Sequence, residues 1–163
     1  PQKSSGSKNI FIVEDKEEAL LLTRKFPGSV FQELLKPEYH PHLERTLFAQ
    51  NKNSVVIANV VRVDKILEIT DPAMVEELSP FYICTTDYAQ YRLNWRPKQP
   101  LSVLILRVFR LPTIKILPIR ERYGGCVSWV SLDEIVNTSG AVPVVEDAEF
   151  QSRLEEICQA VAC

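Results

Sequence analysis

Glycine is scarce in this chain, with five in 163 residues. No G-x-G-x-x-G or G-x-x-x-x-G-K-[ST] occurs, so the loops that cradle nucleotide phosphates are absent, as are the G-x-S-x-G elbow and H-E-x-x-H. Histidine is scarcer still. His40 and His42 form one His-Pro-His triplet, and no close-spaced cysteine pair exists to complete a tetrahedral zinc set. The four cysteines, Cys84, Cys126, Cys158 and Cys163, share no C-x-x-C spacing. They read as free, mostly buried thiols, with a single disulfide pair as the alternative. Long hydrophobic runs are also missing. A membrane helix needs about 18 apolar residues, whereas the longest stretches here, 54–61 and 101–106, are strand-sized.

The remaining composition, 45% hydrophobic and 25% charged, is that of a globular protein with a real core. The length suits one domain, 1–163, and the Ser-, Gly- and Lys-rich residues 1–8 are expected to be disordered. The first ten residues do not resemble a signal peptide, so a cytoplasmic location is expected. Nothing in the composition calls for a metal or cofactor.

Net charge is −2, but it is unevenly spread. Residues 87–125 hold eight bases against two acids, and residues 131–163 hold one base against seven acids. Two readings follow. The basic middle presents a nucleic-acid face, or the acidic tail folds back and neutralises it.

Along the chain, residues 9–13 read as a strand. Residues 15–26 fit either a capped helix from Asp15 and Glu18 or the return strand of a hairpin. Pro37 and Pro41 bracket a loop into a helix over 42–50. Residues 54–63 are β-branched and apolar and predict a buried strand, continued by 65–70 after a bend at Asp64. Asp71-Pro72 starts a helix that stops before Ser79-Pro80, and Thr86 caps another reaching Trp95. Residues 101–111 form the longest predicted strand, and Pro112 and Pro118 isolate 113–117 as a short edge piece. Tyr123-Gly124-Gly125 is a turn, 127–130 a short strand, and Ser131 with Glu134 a second capping box. Phe150, Leu154, Ile157, Cys158 and Val161 make one stripe of an amphipathic helix capped by Asp147. The fold class is therefore α+β with a mostly antiparallel sheet.

Two constellations carry chemistry. Tyr91-Arg92-Leu93-Asn94-Trp95-Arg96-Pro97-Lys98 interleaves aromatic rings with cations, which suits stacking on bases and neutralising phosphates. The competing reading is an arginine laid over Trp95 that merely tethers a loop, or a Trp95 in the core. In the second constellation, Gly124 and Gly125 leave room for backbone amides to face a ligand, or simply turn the chain so that Trp129 enters the core. Cys126 beside them is a conceivable nucleophile without an identifiable base.

Five ordered motifs carry a resemblance. Glu33-Leu-Leu-Lys-Pro-Glu-Tyr39, Leu78-Ser-Pro-Phe-Tyr82, Leu93-Asn-Trp-Arg-Pro-Lys98 with Pro100-Leu101, Leu106-Arg-Val-Phe-Arg-Leu-Pro112 and Tyr123-Gly-Gly-Cys-Val-Ser-Trp129 resemble a bacterial, largely cyanobacterial family catalogued as domain of unknown function 1802. The likeness runs from Ile10 to Ala162 and departs in residues 26–32, where the family has a longer stretch. It implies a hairpin over 10–26 and brings no assigned activity. The order of elements around 55–67 and 101–129 is similar to a PUA-like β-barrel with flanking helices, a fold that reads RNA or modified bases.

The resulting expectation is a DNA- or RNA-binding module without a membrane or metal partner. Arg92, Arg96 and Lys98 would contact phosphates, Tyr91 or Trp95 would stack on a base, and Gly124 and Gly125 would offer backbone donors. Alternatives are a protein-interaction module for an acidic partner and, further off, a small hydrolase.

Overall fold

Two long β-branched segments organise the molecule. In the computed structural model, which describes residues 9–13, 33–48, 54–121 and 131–162, β1 is Asn9–Val13, β2 is Ser54–Ile69 and β3 is Leu101–Pro118. β2 and β3 pair antiparallel along their whole length, from Ile69 opposite Leu101 to Ser54 opposite Pro118. β1 runs parallel to β3 on its other edge, with Phe11 opposite Leu104, and the short β4, Val142–Pro143, pairs antiparallel with Phe109 and Arg110. The order is thus β1-β3-β2 with β4 added on β3. This is the expected mixture of helices and a mostly antiparallel sheet. The sheet is open among the described residues, so the barrel closure expected from the sequence is not seen in them.

The sheet contains two register irregularities. Val63 faces Leu106 while Lys65 faces Ile105, so Asp64 is the extra residue of a bulge, at the position where the sequence predicts a bend. Asn59 faces Arg110 and Ile57 faces Lys115, leaving residues 111–114 opposite Ala58 alone. Pro112 falls in that excursion. A proline has no N–H for a ladder, and here none is required. The expected break between 101–111 and 113–117 is therefore corrected: β3 is one strand.

One face of the sheet carries Leu101, Val103 and Ile105 with Leu67 and Ile69 opposite, all buried. Against it pack α2 (Pro72–Glu77), α3 (Thr86–Asn94) and α4 (Asp147–Val161) through Val75, Ala89, Leu93, Phe150, Ile157 and Val161. The opposite face buries Leu104, Leu106 and Val108 with Ile83 and Val144. α1, His40–Phe48, follows a 3-10 turn at Pro37–Tyr39 and begins two residues earlier than the sequence predicts.

The caps follow the sequence with three corrections. Asp71 accepts from the Ala73 N–H at 2.9 Å and Pro72 opens α2, as expected. α3 is capped by Thr85, whose hydroxyl accepts from Tyr88 N at 3.3 Å, rather than by Thr86. Glu146, not Asp147, holds the N-cap position of α4, because the Asp147 carboxylate is drawn to Arg107 at 2.7 Å. No helix follows Ser131, because Glu134 reaches instead to Lys115 at 2.8 Å and Arg120 at 3.9 Å. The stripe read for α4 holds: Phe150, Ile157 and Val161 are buried, with Leu154 and Cys158 partly so. Cys84 and Cys158 carry no disulfide. The expected return strand before Phe26, the Gly124-Gly125 turn, Cys126, the strand over 127–130 and Cys163 lie outside the described residues.

Candidate nucleic-acid interface

α3 separates its residues by helical spacing. Ala89 and Leu93, one turn apart, point into the core with 0% and 7% exposure. Tyr91, Arg92 and Trp95 stand at i, i+1 and i+4 and leave on the other side. Tyr91 is 58% exposed and Trp95 53% exposed, which overturns the reading of Trp95 as a core residue. The two rings meet edge-on with centroids 5.7 Å apart. The Arg92 guanidinium lies 4.8 Å from the indole centroid, so the expected cation–π contact is present on an exposed ring.

The helix ends at Trp95 because Pro97 cannot continue it. Gln99 N–H then donates to Arg96 C=O at 2.9 Å, closing a turn with Pro97 and Lys98 at its centre. Arg96 is half-buried and Lys98 exposed. Five expected site residues, Tyr91, Arg92, Trp95, Arg96 and Lys98, thus fall within one helix end and its following turn. Gly124 and Gly125 lie outside the described residues. The platform is held in place from behind by Gln90, whose Nε2 donates to Pro72 C=O at 2.8 Å, and by Asn94 Nδ2 donating to Gln90 C=O at 3.0 Å.

The acidic tail does neutralise part of the basic middle. Arg107 pairs with Asp147, Lys115 with Glu134, and Arg120 with Asp133 at 3.2 Å and Glu134. The Lys115 ammonium holds the Glu134 carboxyl below the usual carboxylate range through its hydrogen bond. These ion pairs gather along residues 107–120, away in sequence from the cations that follow α3.

Structural roles that the sequence did not single out belong to Lys36 and Arg107. The Lys36 ammonium donates to Ser79 C=O at 2.5 Å and Tyr82 C=O at 2.8 Å and lies 5.0 Å from the Tyr82 ring centroid. Backbone bonds from Lys36 N to Ile83 O and from Thr85 N to Leu34 O reinforce this joint. Two of the sequence motifs, around Lys36 and around Tyr82, are therefore halves of one contact. Arg107 is 2% exposed and donates to Val145 C=O at 2.6 Å as well as to Asp147, with its guanidinium 4.6 Å from the Phe150 ring centroid. Its sequence signal is a charge between Leu106 and Val108 in the apolar run that opens β3.

Burial pushes the Cys84 thiol up to about 11, which disfavours the thiolate a nucleophile needs. Among the described residues, no group of three or more His, Cys, Asp or Glu could hold a metal ion, and no helix is long and apolar enough to cross a membrane.

Among the described residues, helices pack on an open, mostly antiparallel sheet, and Tyr91 and Trp95 stand exposed beside Arg92. The chain belongs to the family described as Domain of unknown function (DUF1802), which it matches over residues 8–156, as its motifs imply. No curated protein and no solved structure matches it.

Proposed function

We propose that this protein is a nucleic-acid-binding module, and that the end of α3 is where it holds the strand. The observation that carries the reading is the half-exposed Trp95 indole with Arg92 against it and Tyr91 at its edge. An exposed indole has a face on which a base can stack, and such stacking is worth about 1–3 kcal/mol per base. Arg92, Arg96 and Lys98 then neutralise phosphates on either side, and the Gly124 and Gly125 amides add backbone donors. On the same proposal the sheet is one wall of a PUA-like barrel. The long β2–β3 pair, bent at two irregularities, supports it, since bulges are how barrel strands turn corners.

The test is fluorescence anisotropy with short single-stranded DNA and RNA oligomers at low salt. Binding tighter than about 100 μM is expected, the range of ordinary non-specific affinity. Trp95→Ala is expected to weaken it by about 1–3 kcal/mol with little change in melting temperature. Absence of binding to every oligomer, alongside binding to an acidic protein partner, would transfer this surface to protein recognition.

A further inference from the structure

On the helix-covered face of the sheet, β2 presents Lys65, Leu67 and Ile69 in alternation. Leu67 and Ile69 are buried among apolar neighbours, and an apolar residue would suit position 65 as well. Lysine stands there instead, half-buried, and its stem carries Nζ across to α4. The ammonium stops 3.1 Å from the Sγ of Cys158, a partly buried residue on the apolar stripe of α4, 93 positions away in sequence. Lys65 Nζ–H donates to that sulfur, so the two groups already meet. Nitrogen and sulfur thus stand about one oxygen atom apart, each on a separate secondary-structure element.

We propose that Lys65 and Cys158 are the site of an oxidative cross-link, an Nζ–O–Sγ bridge that joins β2 to α4. The oxidant is dioxygen. The Sγ–H bond and one Nζ–H bond break, Sγ–O and O–Nζ bonds form, and the second oxygen atom leaves with the two hydrogens as water. Sulfur and nitrogen give up two electrons each, the four that dioxygen accepts. The cross-link fixes the C-terminal helix to the sheet, and reduction releases it.

The experiment is intact-mass spectrometry of the full chain after exposure to air-saturated buffer, followed by proteolysis and tandem mass spectrometry. A species about 14 Da heavier is expected, from one oxygen gained and two hydrogens lost, mapped to a linked pair of peptides containing Lys65 and Cys158. Lys65→Arg and Cys158→Ser are each expected to abolish it, and Cys84→Ser to retain it, with circular dichroism confirming the fold. Should a variant fail to fold, the peptide map of the unaltered chain decides. No such gain in mass, a gain of about 16 Da on the Cys158 peptide alone, or persistence of the bridge in Lys65→Arg overturns the proposal.

Discussion

Arg107 occupies a strand position between Leu106 and Val108, 1% and 2% exposed, where a charge is costly unless its hydrogen bonds are met. It is kept there by Val145 C=O, the Asp147 carboxylate and the ring of Phe150, which together fasten the start of α4 to the sheet. Arg107→Ala removes both the bonds and the packed stem and is expected to cost about 2–4 kcal/mol in a urea melt. Arg107→Met, which restores the stem alone, is expected to recover part of that loss. Cys84 gives a pH-dependent counterpart. Its thiol is raised from 9.0 to about 11 by burial, so the folded protein keeps a proton that the unfolded chain releases in between. Stability is therefore full below about pH 9 and falls as pH rises toward 11, and burial of Tyr82 and Tyr88 acts in the same direction. Urea midpoints measured in steps across that window are expected to decline, and less steeply in Cys84→Ala. An equal decline in the variant would assign the effect elsewhere.

Among the elements, α4 was the most legible in sequence, since its apolar residues recur at helical spacing along its whole length. Ile157, 3% exposed, anchors it; Ile157→Ala is expected to cost about 2–5 kcal/mol, read as a clear drop in melting temperature. β3 was legible in position but not in continuity. The rule that proline breaks a ladder holds for regular pairing, and only the three-dimensional register reveals that residues 111–114 leave it. The Ser131–Glu134 pairing failed for a different reason. A capping box only helps a helix that has an apolar face to bury, and here Leu132 and Ile135 are 43% and 93% exposed. Glu134 is worth more to Lys115 and Arg120 than to a short exposed helix.

At the scale of the whole molecule, part of the uneven charge is neutralised within the fold. Acids of the tail satisfy Arg107, Lys115 and Arg120, which the sequence alone cannot separate from cations available to a ligand, because ion-pair partners are set by tertiary contacts. The composition of the α3 surface was readable from the i, i+1, i+4 spacing of Tyr91, Arg92 and Trp95. Its exposure was not, since an aromatic residue beside Leu93 serves a core as readily as a surface. The proposed site offers nucleic acid the cations Arg92, Arg96 and Lys98, and this makes a quantitative demand. Each phosphate contact on a single strand contributes about −0.7 to the slope of log affinity against log salt, so three contacts give about −2. The most direct measurement is that slope, by fluorescence anisotropy across a salt series, for the unaltered chain, Arg96→Ala and Trp95→Ala. The expected result is a slope near −2, shallower by about one contact in Arg96→Ala and unchanged in Trp95→Ala although affinity falls. A slope near zero, or an Arg96→Ala slope equal to that of the unaltered chain, would contradict a strand held at the end of α3.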